Sequence, residues 1–151
     1  MIEIRDARPA DGDAIFAIEQ ATFPADAWSR GVLDAELSSP YGTYLVAIDG
    51  DTVVGYGGAQ LLPGATQGDI QTLAVAASHR GLGIGAALLD ALLSRTAEGG
   101  ATHMMLEVRA DNPVAQSLYQ RRGFAVIATR PGYYQPANVD ALIMQRGPRD
   151  A

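Results

Sequence analysis

The chain of 151 residues contains no cysteine. A disulfide framework, a thiolate metal site and a cysteine nucleophile are therefore excluded, and the composition fits a reducing compartment. No apolar run approaches membrane-spanning length, and the opening segment Met1–Asp11 lacks the apolar core of a secretory signal. The expectation is a soluble, cytoplasmic protein without a membrane partner. Charge is sparse as well: charged residues make up 19% of the chain against 48% hydrophobic ones, and the net charge is −6. That balance belongs to a globular domain rather than a disordered chain. The acidic sign argues against general nucleic-acid binding and suits a cationic substrate. No repeat, linker or low-complexity segment interrupts the chain, so a single domain over residues 1–146 with a short tail, 147–151, is expected.

What the chain does have is a glycine-rich stretch that runs into an apolar helix, Ser78–Leu89. Gly81, Gly83 and Gly85 leave backbone N–H groups approachable, and the first turn of a helix has no carbonyl to satisfy its own N–H groups. Together with the helix dipole this makes an anion site, read here as a pyrophosphate cradle. Two familiar nucleotide motifs do not fit. A dinucleotide fingerprint needs G-x-G-x-x-G near the first strand and an acidic partner one strand on; a triphosphate-binding P-loop needs a lysine that this loop lacks. The plain alternative is a tight strand-to-helix turn.

Periodicity and punctuation predict the remaining elements. Ile2–Arg8 alternates as a strand ended by Pro9, and Asp11 or Asp13 is placed to cap a helix carrying Ile15, Phe16, Ile18 and Glu19. After a proline-broken turn, Phe23–Ser29, Ser29 caps a second helix bearing Val32, Leu33 and Leu37. Thr43–Ile48 and Thr52–Leu62 form a hairpin about Asp49-Gly50, and Asp69–Val75 is the next strand. A helix from Gly83 to Glu98 presents Leu88, Leu89, Leu92 and Leu93 and stops at Gly99-Gly100. Thr102–Val108 is a strand, and Asn112-Pro113 opens a helix whose inner face is Val114, Leu118 and Tyr119. Phe124–Thr129 and Val139–Gln145 are the last strands, joined by a loop over Arg130–Asn138. The order β-α-α-β-β-β-α-β-α-β-β predicts a mixed α/β sandwich with helices on both faces.

Read as Arg80-x-x-Gly83-x-Gly85-Ala86, the loop resembles the Arg/Gln-x-x-Gly-x-Gly/Ala signature of the GNAT N-acetyltransferases. The resemblance extends along almost the whole chain, because the element order is also that family's. It implies the GNAT acyl-CoA N-acyltransferase fold, an α/β (α+β) architecture with a mixed, mostly antiparallel central sheet. It implies acetyl-CoA as acetyl donor and no metal. Arg80, Gly81, Leu82, Gly83, Ile84, Gly85 and Ala86 would wrap the pyrophosphate, while Leu73, Ala74 and Val75 would pair with the pantetheine arm and the acetyl carbonyl. Leu106-Glu107-Val108-Arg109-Ala110-Asp111-Asn112, followed by Leu118-Tyr119 and Gly123-Phe124, is similar to the bacterial ribosomal-protein alanine N-acetyltransferases. Phe23–Ser29, Arg130-x-x-Tyr133-Tyr134 and Asp140-Ala141-x-Ile143-Met144 resemble further segments of that group. By this resemblance Glu107 is the general base, Tyr119 the general acid and Asn112 a coenzyme contact. Asp69 takes the place of an acidic residue facing the acceptor amine.

The chemistry agrees with those roles. An α-amino group with a pKa of about 7.7–8.0 is mostly protonated near neutrality and needs a base before it can attack a thioester. Glu107, among Met104, Met105, Leu106 and Val108, is expected in an apolar shell that raises its pKa. Tyr119, a phenol of ordinary pKa about 10, still holds a proton for the departing thiolate. The Val75 backbone N–H is a candidate partner for the thioester oxygen. Trp28, Tyr133 and Tyr134 are expected to border a peptide groove. His79 and His103 are assigned no catalytic part. Each residue taken alone also has a structural reading: a solvated strand carboxylate, a core tyrosine, a helix cap.

Three departures from the group's pattern bear on the acceptor and the coenzyme. Pro131-Gly132 follows Arg130, Gln135–Asn138 is short, and Ala86 replaces a basic residue often found after the glycines. The acceptor expected is a protein N-terminus or peptide, with a ribosomal protein beginning with alanine as the leading case. A lysine or small-molecule amine on the same scaffold, or a coenzyme-A-binding regulatory module without turnover, are the alternatives.

Overall fold

The computed structural model of the chain describes residues 1–147; the expected tail, from residue 148 onward, lies outside the described residues. Seven strands form one sheet: β1 (Ile2–Asp6), β2 (Gly42–Asp49), β3 (Thr52–Gln60), β4 (Gln67–Val75), β5 (His103–Arg109), β6 (Ala125–Tyr134) and β7 (Val139–Arg146). Four helices complete it: α1 (Gly12–Thr22), α2 (Arg30–Ser38), α3 (Ile84–Glu98) and α4 (Pro113–Arg121). Strand order is β1-β2-β3-β4-β5-β7-β6, antiparallel throughout except for the parallel pair β4–β5. The expected element order and mixed sheet are those observed.

Alternation along β2 divides the interior. Leu45 and Ala47 face α3, joining Leu88, Leu89 and Leu92, each fully buried, in the larger core. Tyr44, Val46 and Ile48 face the other way and pack with Ile15 and Ile18 of α1 and Leu33 of α2. Burying this aliphatic surface on both faces is the main source of stability. Among the described residues no helix is long and apolar enough to cross a membrane.

Local rules worked where the partner was close in sequence. Ser29 Oγ accepts from the Val32 amide at 3.2 Å and Asn112 Oδ1 from the Ala115 amide at 3.2 Å, so both expected caps form. Gly123 adopts φ +88° just past α4. Three expectations change. Asp11 caps no amide of α1, because a 3-10 turn over Pro9–Asp11 leads straight into α1, leaves Asp11 already helical and is itself closed by the Asp11 carboxylate. Its carboxylate instead takes Arg5 Nη1 at 2.8 Å, Arg5 Nη2 at 3.0 Å and the Arg8 amide at 2.7 Å. On α4, Val114 points to solvent and Ala115 takes its place beside Leu118 and Tyr119. The expected loop over Arg130–Asn138 is mostly strand: β6 continues to Tyr134, and Pro131 is tolerated because β6 is an edge strand.

The Arg5 guanidinium beside Asp11 holds that carboxyl below the usual range, so the ionised form is favoured in the fold. Its contribution is present above a pH of about 4 and lost as pH falls through the depressed folded value. Asp11→Asn should cost about 2 kcal/mol at neutral pH in a urea titration, and much less near pH 3. At the alkaline end, burial raises the hydroxyl pKa of Tyr44, Tyr56, Tyr119 and Tyr134. A raised folded value means stability is present below a pH of about 10 and lost above it, as the unfolded phenols ionise first. Absorbance titration should show these tyrosines ionising only after the free phenol range, together with unfolding.

Candidate active site

Two strands that part company make the site. β4 and β5 pair only at Gln67↔His103, Gly68↔Met104 and Asp69↔Met105. Beyond those rungs β4 stays with β3 as far as Val75, and β5 turns to β7 as far as Arg109. The divergence coincides with a bulge: Gly58 pairs with Thr72 and Ala59 with Ile70, leaving Gln71 as the extra residue of β4. The Gln71 side chain is held by Tyr44 Oη, which donates to its Oε1 at 2.9 Å, and by its own Nε2, which donates to Gln60 Oε1 at 2.9 Å. The Tyr44 ring lies where a Cβ on Gly58 would sit, 2.1 Å from its nearest atom, so that approach requires glycine. Between the parted strands is a cavity of about 890 Å³.

Of the residues singled out from the sequence, Trp28, Asp69, Leu73, Glu107, Asn112, Tyr119, Tyr133 and Tyr134 all line this cavity. Glu107 projects from β5 between buried Leu106 and Val108, whose side chains face the core behind the sheet. Of the apolar shell expected around Glu107, Met104, Leu106 and Val108 are therefore on the far side of the strand, and Met105 alone shares its face, where it lines the cavity. The Glu107 side chain is 33% exposed and stands 3.6 Å from Arg130 Nη1. Asp69 shares the cleft: loss of hydration raises its pKa, and the like charge of Glu107 raises it further. Tyr119 comes in from α4, buried and edge-on to Phe124 at 5.8 Å between ring centroids. Burial pushes its hydroxyl up to about 12, which keeps it a neutral donor.

The outer wall is aromatic and charged. Tyr133 and Tyr134 meet edge to face at 5.1 Å, Arg130 lies over Tyr133 at 5.4 Å, and Arg109 lies over Tyr134 at 5.1 Å. Burial first, then the charge of Glu107, pushes the Tyr134 hydroxyl up to about 12. On the α1 side, the sequence reading gave Glu19 no part beyond its helix. It is 3% exposed and lines the cavity, where Tyr56 Oη donates to Oε1 and the Trp28 amide to Oε2 at 3.1 Å. An unpaired glutamate on an otherwise apolar helix face was the only sequence signal for it.

The glycine loop lies apart from this cavity, at the start of α3. Gly81 and Gly83 have φ of +79° and +81°, a region other residues rarely adopt, whereas Gly85 is helical. The first helical bond is Ala87 N–H to Gly83 O at 3.0 Å, so the preceding amides of the first turn lack helix partners. Leu82 is exposed while Ile84 is buried, anchoring the helix start. Arg80 Nε donates to Val75 O at 3.2 Å, tying the loop to the end of β4. Ala74 faces the α1-side core, and Leu73 and Val75 are half-buried along a strand edge unpaired by β5. Left-handed glycines, a bare helix N-terminus and one arginine fit a pyrophosphate. His79 is a clasp: its Nε2 is 2.8 Å from Asp49 Oδ2 and its Nδ1 2.8 Å from Ser78 Oγ. Among the described residues no group of three or more His, Asp or Glu is arranged to hold a metal ion.

Comparison with known proteins agrees with this geometry. The chain is 39% identical over 142 residues to an uncharacterized protein of Mycobacterium leprae, spanning 91% of this chain but 38% of that longer one. It is 37% identical over 145 residues to the N-alpha-acetyltransferase RimI of Mycobacterium tuberculosis, covering 93% of this chain and 89% of that protein. The crystal structure of the ribosomal-protein-S18-alanine N-acetyltransferase from Escherichia coli superposes with a TM-score of 0.89 at 25% identity, over 100% of this chain and 96% of that one. Residues 12–124 match the model of the Acetyltransferase (GNAT) family. With that match over most of its length, and with the parted strands and glycine loop in place, the chain belongs to the GNAT family of acetyltransferases.

Proposed function

We propose that this acetyltransferase moves the acetyl group of acetyl-CoA to the N-terminal α-amino group of a protein, with a ribosomal protein beginning with alanine as the leading acceptor. Names of relatives that act on α-amines support the acceptor class. The observation that carries the chemistry is the meeting of Glu107, Asp69 and Tyr119 on the one cavity where β4 and β5 separate. A single domain over residues 1–146 holds the whole site, and the reaction runs in the cytoplasm.

In this reading the pyrophosphate sits on the amides of Gly81–Ala86 beside Arg80, and Asn112 contacts the coenzyme while capping α4. The pantetheine arm lies along Leu73–Val75, with the Val75 amide toward the acetyl oxygen. The acceptor enters past Trp28, Tyr133 and Tyr134. Its ammonium is drawn by the carboxylates of Asp69 and Glu107, displacing Arg130 from Glu107. Glu107 accepts a proton from the ammonium, directly or through one water, and the freed lone pair attacks the thioester carbon. The new C–N bond forms as the carbonyl becomes an oxyanion. Its collapse breaks the C–S bond, and the Tyr119 hydroxyl gives its proton to the departing sulfur. The second proton shed by the nitrogen as the amide forms restores the Tyr119 phenol through water, and Glu107 returns its proton to solvent. A phenol held near 12 is un-ionised across the working range, so the donor is always loaded.

Glu107→Gln and Tyr119→Phe should each lower kcat by about 10²–10⁴-fold while leaving acetyl-CoA binding within a few-fold, read by steady-state kinetics and calorimetry. Unchanged acetyl-CoA consumption in both would remove the acid–base assignment, whereas acetyl-CoA binding by the parent chain without consumption would favour a regulatory coenzyme-binding module. Turnover of a panel of N-terminal peptides should exceed that of free lysine, polyamines and aminoglycosides in kcat/KM. The reverse order would sink the α-amine reading in favour of a small-molecule or lysine acceptor.

A further inference from the structure

Nothing in the catalytic reading uses Arg109, although its side chain meets two carboxylates and a tyrosine ring at once. It follows Glu107 by two residues on β5, and strand alternation therefore puts it on the same face of the sheet. Its Nη1 donates to Asp26 Oδ2 at 2.5 Å, across 83 residues of sequence, in the turn between α1 and α2. Its Nε and Nη2 grip Asp111 at 2.9 and 3.0 Å, and its plane lies over Tyr134. The Arg109 and Asp26 side chains are 21% and 20% exposed, so the ion pair is shielded well enough to matter. The backbone is held as well: Gln116 Nε2 donates to Arg109 O at 3.0 Å and to Ala110 O at 3.1 Å.

These contacts link the two walls of the cleft. Asp26 belongs to the segment that carries Phe23 and Trp28, whereas Asp111 precedes α4 and Tyr134 ends β6. All but Asp111 line the cavity. Because β4 and β5 share no rung beyond Asp69 and Met105, backbone pairing cannot set the width of the opening there. We propose that Arg109 is a positioning residue that straps the α1–α2 segment to the Tyr134 wall and so fixes the aperture through which the acceptor amine reaches Glu107. Asp111 holds the guanidinium fork flat and Tyr134 supports its face, which aims Nη1 at Asp26. A lysine has one point charge and no fork, and cannot hold both carboxylates in this geometry. The inference rests on the α-amine reading for its acceptor but not for its geometry.

The test uses the whole chain carrying Arg109→Lys, Arg109→Gln, Asp26→Asn and the double variant Asp26→Asn/Arg109→Gln. With an N-terminal peptide as acceptor, Arg109→Gln and Asp26→Asn should each raise the peptide KM about ten-fold, with the acetyl-CoA KM within two-fold of the parent. Arg109→Lys should fall between, and the double variant should be no worse than the worse single one. Losses that multiply, or that appear equally in the acetyl-CoA KM, or no change at all, overturn the strap. Should the parent chain acetylate no N-terminal peptide, the acceptor reading has failed and the strap is judged on Trp28, the single tryptophan. Acrylamide quenching of Trp28 should then rise about two-fold in either single variant and no further in the double; unchanged quenching overturns the strap.

Discussion

A parallel pair of strands that holds for three rungs and then lets go is the constraint on which this molecule depends. Unpaired strand edges inside a domain leave amides and carbonyls without partners, a state that is stable only if water or a ligand takes their place. Here the edge of Leu73–Val75 has no β5 rung: Leu73 lines the cavity, and Arg80 Nε donates to the Val75 carbonyl. The Gln71 bulge turns β4 aside, and the Tyr44 hydroxyl, anchored through the close approach at Gly58, keeps the bulge in place. Two cores, one on each face of the sheet, hold the arms apart without filling the gap.

The electrostatics of the gap follow from what each arm delivers. Asp69 arrives on β4 and Glu107 on β5; burial first, and then repulsion from Glu107, raises the Asp69 pKa. A cation entering between them relieves that repulsion, which suits an ammonium better than any neutral ligand. The arginines of the wall are arranged otherwise. Arg109 is taken up by Asp111 and Asp26, which raise its own pKa further and keep it charged. Arg130 is more exposed, and its 3.6 Å contact with Glu107 is a loose one that a cationic acceptor can replace. In the proposed reaction donor and acceptor thus meet different surfaces: backbone amides and left-handed glycines for the phosphate end, carboxylates and tyrosines for the amine end.

Much of this was legible along the chain because it depends on neighbours. Ser29, Asn112, Pro113 and Gly123 act through residues within a turn of themselves, and the helices and strands they bound appear close to where periodicity put them. Gly81 and Gly83 announce a backbone that only glycine accepts readily, and Glu107 and Tyr119 stand at motif spacing. Where the partner is remote, the sequence was silent or misleading. Asp11 looked like a cap, and it became an ion-pair partner once β1 brought Arg5 alongside. Val114 fits the helical stripe by spacing, yet the phase of α4 against the sheet turns it to solvent. Leu106 and Val108 flank Glu107 in the chain, and pleating sends them to the opposite face.

The amino-acid order by itself determined the element types, the glycine conformations that open a helix to an anion, and the identities of the acid and base candidates. All of these act through local backbone geometry or intrinsic chemistry. Only the tertiary structure decided that β4 and β5 separate after Asp69, that Glu19 is buried beneath Trp28, and that Arg109 crosses to Asp26. Those outcomes need segments up to 83 residues apart to converge, and convergence is set by the packing of the two cores on a shared sheet rather than by any single stretch.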